Sequence, residues 1–377
     1  MLLAITWDFD PEIINLSYLA PRWYGLLFAV AFYLGYMILR KIWVGEGIDE
    51  KHLDRFSWYV IIATLLGARL GHVFFYGPYF NEYDEAGNIL QEGYFDNWLS
   101  ILNIREGGLA SHGATIGILL AMWLYRKYGK LDRSYLWIVD RLVIAAAIGA
   151  MLVRVGNFAN SEIIGEPTNS SQGVVFLHNA SSRLDFLVDD ENFPLTSYEV
   201  ESTEGDSVID DLLYQKYNLQ LSFEGTEQEL RQFVGFRLGG SLNTSNPTYR
   251  HTSFDGFQDF KVVSNGTTQT ATVALYGLPR HPAQLYEAAC YLLIFLLLFG
   301  MYKKLGPDID SGLLFGVFLV MLFAARFIIE FIKENQVAFE EGMKLNQGQK
   351  LSIPFVLIGI GFIVYSQTKG KIRKSTS

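Results

Sequence analysis

Cysteine is almost missing from this 377-residue sequence: Cys290 stands alone inside an apolar run, so no internal disulfide and no cysteine-rich metal site can form. Charged residues are few, 18% of the chain, and no basic stripe interleaved with aromatics is present. That excludes a surface built to follow a nucleic-acid backbone. A metal-ligand cluster and a Gly-x-Ser-x-Gly context are also lacking, and no metal or cofactor is expected. No internal repeat gives the inverted symmetry of many transporters. The opening MLLAITWDFDPEII has a short apolar run, no basic n-region, and acids at Asp8 and Asp10. It does not read as a cleaved signal peptide, and the first membrane helix is expected to act as the insertion signal.

What the chain has in quantity is apolar surface. Half of its residues are hydrophobic and its mean hydropathy is +0.19, which points to a polytopic membrane protein rather than a soluble enzyme. Apolar stretches near 22–43, 56–76, 108–127, 137–158, 282–302, 311–333 and 350–367 each approach the ~20 residues that cross a bilayer as a helix. The fold expected is therefore all-α in the membrane, with seven transmembrane helices. Lysine and arginine crowd one set of connections: Arg40, Lys41, Lys51 and Arg55; Arg126, Lys127, Lys130 and Arg133; Lys303 and Lys304; Lys369, Lys371, Arg373 and Lys374. The other side carries Arg105 in 77–107 and Lys344 in 334–349. This asymmetry places the C-terminus in the cytoplasm and the N-terminus outside.

The stretch 166–279 holds sixteen Asp/Glu against six Lys/Arg, a charge of −10, so the rest of the chain is close to neutral. Short β-rich runs such as TATVALYGL between Ser/Thr/Asn/Gly clusters make it an α/β or β-rich head, and the topology puts it outside. The domains expected are 1–165 with four spans, the 166–279 insert, and 280–377 with three spans and a cytoplasmic tail. The sequon Asn169-Ser170-Ser171 carries little weight in so Asn/Ser-rich a segment.

An ionisable group inside a span costs roughly 2.5–3.5 kcal/mol on insertion scales and calls for a partner or a function. Arg69, His112, Arg154, Glu162, His281, Glu287, Arg326 and Glu330 are such groups, and the topology sends them toward the outer ends of their spans. Tyr24 lies in the first turns of the first span. Helix packing gives no reason for this one-sided crowding, whereas a site acting on the outer leaflet does; snorkelling of terminal arginines is the competing explanation. In RHPAQLYE, Pro282 suits a first helical position and leaves Arg280 and His281 at the helix mouth, where an anion is favoured. In ARFIIEF, Arg326 and Glu330 are four residues apart and can pair, either as a structural ion pair or so that Glu330 holds Arg326 for a phosphate. Gly107, Gly108, Gly113 and Gly117 surround His112 and are expected to let a backbone or a lipid headgroup come close. Gly67 and Gly71 flank Arg69 at packing distance in the second span. In RVGNFANSEIIGEP, Arg154 and Asn157 share a helical face while Asn160 and Glu162 fan around its end.

Five blocks, RWYG at 22–25, GLASHGATIG at 108–117, RVGNFANSEIIGEP at 154–167, RHPAQLYE at 280–287 and ARFIIEF at 325–331, together resemble the prolipoprotein diacylglyceryl transferases. The resemblance runs from about residue 15 to 367 and leaves the insert aside; this head looks longer than is expected of the family. It implies transfer of diacylglycerol from phosphatidylglycerol to the lipobox cysteine thiol of a prolipoprotein, forming a thioether and releasing glycerol phosphate, in the bacterial cytoplasmic (inner) membrane. The substrate brings the thiol, so Cys290 need not be catalytic. By resemblance His112 is the base, Arg154 and Arg326 are the essential arginines, and Tyr24, Asn157, Asn160, Glu162, Gly165 and Glu330 match further family positions. Arg280, His281 and Tyr286 complete the expected substrate-binding set. Two departures stand out: Ala114 replaces the second glycine after the histidine, and Leu322 replaces a tyrosine one turn before the second arginine, whose hydroxyl either has a substitute, with Tyr286 the candidate, or is dispensable.

Two other classes of protein fit part of the pattern. A transporter or lipid-flipping protein would use the arginines without chemistry, but it calls for a polar path through the inner half of the membrane. A membrane hydrolase with His112 as base would call on Ser111, which lacks the motif context.

Overall fold

The computed structural model describes residues 4–375 apart from 15–19, 77–81, 84–88, 92–93, 96, 103–107, 109, 171, 190–194, 210, 239–251, 255–259, 266 and 335–342. Arg105, Gly107 and Ser171 thus lie outside the described residues. The chain begins with β1 (Ile5–Trp7), α1 (Trp23–Gly45), α2 (Glu50–Tyr76), β2 (Glu82–Tyr83), β3 (Ile89–Gln91), a 3-10 turn (Trp98–Leu102), α3 (Ser111–Tyr128) and α4 (Tyr135–Ala159). The insert follows with β4 (Val174–Phe176), α5 (His178–Asp189), β5 (Leu195–Ile209), β6 (Leu212–Glu224), α6 (Glu227–Gln232), β7 (Thr252–Phe254), β8 (Lys261–Asn265) and β9 (Thr268–Gly277). Helices α7 (Ala283–Leu305), α8 (Leu313–Ile329) and α9 (Gln347–Ser375) complete the chain.

A helix occupies each of the seven apolar stretches. Five of them, α1, α2, α4, α7 and the Gln347–Thr368 part of α9, are long and apolar enough to cross a membrane, and α8 is a shorter apolar helix. The protein is therefore a mostly helical, multi-pass membrane protein with some sheet. Its residues fall into two compact units, one of 1–29, 150–291 and 322–355, the other of 30–149, 292–321 and 356–377.

In the first unit the insert forms a five-stranded antiparallel sheet in the order β5-β6-β9-β7, with β8 also paired to β9. Alternation along LLYQKYNLQLSFE turns Tyr217, Leu219, Leu221 and Phe223 to one face, and the register sets Leu219 opposite Val273 and Leu221 opposite Ala271. Ala180, Leu184 and Leu187 of α5 cover that face and close the core. Strand β1 pairs in parallel with β4, Ile5 opposite Val174 and Trp7 opposite Phe176. Trp7 Nε1 also donates to the Phe158 carbonyl at 3.2 Å. The first residues, grouped by sequence with the four-span segment 1–165, thus add a strand to the insert.

In the second unit α2 and α3 cross on glycine. A Cβ on Gly113 would come 2.6 Å from Gly71 Cα and would overlap the Gly67 carbonyl; one on Gly117 would meet Gly67 Cα at 3.3 Å. Gly113 and Gly117 therefore serve a backbone-to-backbone helix contact, the first of the two close approaches expected there. Gly108, at φ +79, lies against the side chains of Arg69 and His72. Arg69 is engaged within its own unit. Its Nε donates to the Ile101 carbonyl at 2.8 Å, Nη2 to Ser100 at 2.6 Å and Nη1 to Gly108 at 3.2 Å, with the guanidinium over the Tyr94 ring.

The same unit buries a second ionic centre. Glu46 accepts from Arg141 Nε at 3.0 Å, Trp137 Nε1 at 3.0 Å and the Tyr302 hydroxyl at 2.8 Å, while Arg141 Nη2 also donates to the Pro307 carbonyl at 2.9 Å. Asp140 accepts the Gly312 and Phe315 amides at 2.6 and 2.9 Å. A carboxylate from α4 thus satisfies orphan donors at the start of α8.

Candidate active site

The chemistry-bearing residues of the first unit gather where α4 ends. Arg154 and Asn157 are one turn apart, and Arg154 Nη1 donates to Asn157 Oδ1 at 3.2 Å. Beyond the last helical turn the backbone passes through left-handed conformations at Ser161 (φ 53) and Ile163 (φ 57). This turn brings Glu162 back on the helix end: Asn157 Nδ2 donates to its Oε2 at 3.4 Å and Asn160 Nδ2 to its Oε1 at 3.1 Å. Gln284 Nε2 holds the Glu162 carbonyl at 2.5 Å. Gly156 makes room for Tyr24, whose Cδ2 would lie 2.8 Å from a Cβ at that position.

Helix α7 supplies the counter-charge. Glu287, only 1% exposed, places Oε2 2.5 Å from Arg154 Nε. One turn later the buried Tyr291 comes close to Arg154. Arg154 is thus fixed by a carboxylate and an amide oxygen, which sets the plane of its fork before any ligand arrives. On α8, Arg326 Nε stands 4.0 Å from Glu330 Oε2 and keeps 33% of its side chain exposed.

A small backbone frame joins the segments after α4, before α7 and after α8. The Gly165 amide donates to His281 O at 2.9 Å, Glu166 N to Ile332 O at 2.9 Å, and Arg280 and Val174 exchange both backbone bonds. A side chain at Gly165 would collide with His281 Cβ and with the His281 and Ile332 carbonyls, each 2.7 Å away, which is why glycine stands there. The buried Arg280 donates to the Gly165 carbonyl at 3.2 Å and pairs with Glu334 Oε1 at 2.8 Å. His281 Nδ1 meets the Tyr286 hydroxyl at 3.4 Å.

Burial pushes the Glu334 carboxyl up to about 7, with nearby Glu166 adding to the rise and Arg280 opposing it. A folded carboxyl that keeps its proton where the unfolded one has lost it favours the fold below pH 4.5, and this contribution fades as pH rises to about 7. Glu334→Gln is expected to flatten the pH dependence of the melting temperature across that window. A wild-type slope in the mutant would remove Glu334 as its source.

His112 belongs to the second unit. It is exposed in the first turn of α3, with the Phe75 ring 6.3 Å away, on a helix start held by the Gly113 contact.

The family model for prolipoprotein diacylglyceryl transferase matches residues 11–365. The chain belongs to this family. Among its relatives is the phosphatidylglycerol–prolipoprotein diacylglyceryl transferase of Tolumonas auensis, 34% identical over 360 residues and covering 96% of each chain. Those of Bacteroides fragilis, 30% identical with 99% of both chains covered, and of Porphyromonas gingivalis, 34% identical over 96% of this chain and 94% of the relative, bear the same name.

In this diacylglyceryl transferase family member, Tyr24, Arg154, Asn157, Asn160, Glu162, Gly165, Arg280, His281, Tyr286, Arg326 and Glu330 all fall in the first unit, and the contacts above join most of them. Arg280 spends its guanidinium on the frame. The hydroxyl beside Arg154 belongs to Tyr291, while Tyr286, the candidate for the function lost with Leu322, faces His281. Sequence reasoning passed over Tyr291, Gln284 and Lys333. Tyr291 had a readable signal, since it lies four residues after Glu287 and so on the same helical face.

Proposed function

We propose that this protein transfers the diacylglyceryl group of phosphatidylglycerol to the lipobox cysteine thiol of a prolipoprotein, in the cytoplasmic membrane of a bacterium. The observation that carries the reading is Arg154, held by Glu287 and Asn157 inside the longest of the five sequence blocks. All seven helices cross the bilayer in this reading, with the N-terminus and the head outside and the C-terminus in the cytoplasm, as the lysine and arginine distribution supports.

The thiol sulfur attacks the glyceryl carbon bonded to the phosphate oxygen. The carbon–sulfur bond forms as the carbon–oxygen bond breaks, and the electron pair leaves with the oxygen as glycerol phosphate. An unperturbed thiol has a pKa near ~8.5, so a base has to take its proton, and His112 has that role. Negative charge grows on the departing phosphate, where preorganised guanidinium groups lower the barrier. Arg154 and Arg326 serve there, with Glu330 orienting Arg326. Tyr24, Asn157, Asn160 and Glu162 position the lipid headgroup. Gly165, Arg280, His281 and Tyr286 hold the frame on which they stand.

The test follows purified protein with phosphatidylglycerol and a lipobox peptide, reading peptide mass and released glycerol phosphate together. Both products appear if the reading is right; a well-folded protein giving neither overturns it in favour of lipid binding or transport. His112→Gln is expected to lower turnover about a hundredfold, in the range of a lost general base, while lipid binding stays measurable. Full turnover in that variant would take His112 out of the mechanism.

A further inference from the structure

Lys333 has no role in the scheme above, yet it lies among its charges, near Glu287 as well as Glu330. Its Nζ is 3.8 Å from Glu330 Oε2, the same oxygen that stands 4.0 Å from Arg326 Nε. Both distances exceed a hydrogen bond, and that oxygen has no hydrogen-bond partner among the described residues. One carboxylate oxygen is therefore shared by two cations and committed to neither.

The two cations differ in access. The Lys333 side chain is 5% exposed and that of Arg326 33%. The lysine is also fixed from behind, by the bridge of its backbone to Gly165 and by the adjacent Glu166 to Ile332 hydrogen bond. Gly348 of α9 closes a further side of the carboxylate, where a Cβ would come 2.5 Å from Glu330 Cδ. Glu330 is itself largely buried, so it cannot be left without a counter-charge at low cost. When Arg326 turns to a phosphate, something has to keep Glu330 neutralised. Lys333 is placed to do so, and it is too enclosed to follow the arginine outward.

We propose that Lys333 is a positioning residue that holds Glu330 from the buried side, so that Arg326 is free to exchange the carboxylate for the phosphate of the lipid. The inference rests on the reading that Arg326 meets that phosphate. Without Lys333, Glu330 would fall back on Arg326 and neutralise the charge meant for the lipid.

The experiment measures kcat and separate KM values for phosphatidylglycerol and for the lipobox peptide. Lys333→Gln is expected to raise the lipid KM about tenfold, the scale of one weakened charge contact, with the peptide KM unchanged. Lys333→Arg, which keeps the cation, should stay close to wild type. In a Glu330→Gln background, Lys333→Gln should cost nothing more, because the lysine acts through that carboxylate. Equal rises in both KM values, or a full further loss in the double variant, would overturn the proposal; the second result would mean that Lys333 touches the lipid itself. Should Lys333→Gln fail to fold, Gly348→Ala displaces the same carboxylate and should raise the lipid KM alone, and an unchanged value would equally sink the idea. Wild type and Arg326→Ala are run beside these variants. No product from wild type removes the transferase reading, and an unchanged lipid KM in Arg326→Ala removes the phosphate premise, each separately from Lys333.

Discussion

Arg154→Ala is expected to lower kcat/KM for diacylglyceryl transfer about a thousandfold, at the upper end for loss of one preorganised donor to a developing anion. The change does more than delete a charge. Glu287, 1% exposed, would lose the guanidinium that stands 2.5 Å from it, and breaking such a buried pair costs roughly 3–5 kcal/mol. Activity and folding would then fall together. A double variant, Arg154→Gln with Glu287→Gln, separates them, since it removes both charges and keeps polar groups of similar size. It should recover folded yield, read by size-exclusion chromatography and thermal melting, while glycerol phosphate release stays at the level of Arg154→Ala. Transfer by the folded double variant would show that Arg154 matters to the fold and not to the reaction.

The second large effect falls on stability. Glu46→Ala withdraws the acceptor that Arg141, Trp137 and Tyr302 share and leaves an arginine that is 0% exposed without its carboxylate. A loss of roughly 3–5 kcal/mol is expected, seen as a marked drop in melting temperature in detergent. Replacing the pair together, Glu46→Leu with Arg141→Met, should recover much of it, because apolar groups of similar volume avoid the cost of burying charge. A wild-type melting temperature in Glu46→Ala would show that the indole, phenol and guanidinium find other acceptors at no cost.

The sequence made the helices legible because each apolar stretch is long and bounded by charges. The stretch expected at 137–158 is the helix Tyr135–Ala159, and that at 282–302 is Ala283–Leu305. The cluster of Arg154, Asn157, Asn160 and Glu162 was readable for a related reason: one helix end and one turn bring them together, and both are local. Contacts between elements were not readable. Spacing puts Glu287 on a face of its helix but cannot say that Arg154 stands opposite, nor that Lys333 shares an oxygen with Arg326. Arg69 looked like a ligand group because its partners are backbone carbonyls some thirty residues away, and carbonyls leave no mark in a sequence. The strand Ile5–Trp7 was too short to register before its partner at Val174–Phe176 was known.

The glycine crossing of α2 and α3 bears on how the chain assembles. Where Gly67 and Gly71 meet Gly113 and Gly117, the touching surfaces are main chain, already ordered once each helix has formed. Docking there freezes almost no rotamers, so the pair escapes most of the side-chain entropy that larger residues would give up. The support on which His112 stands therefore needs no large side chain to settle before it closes.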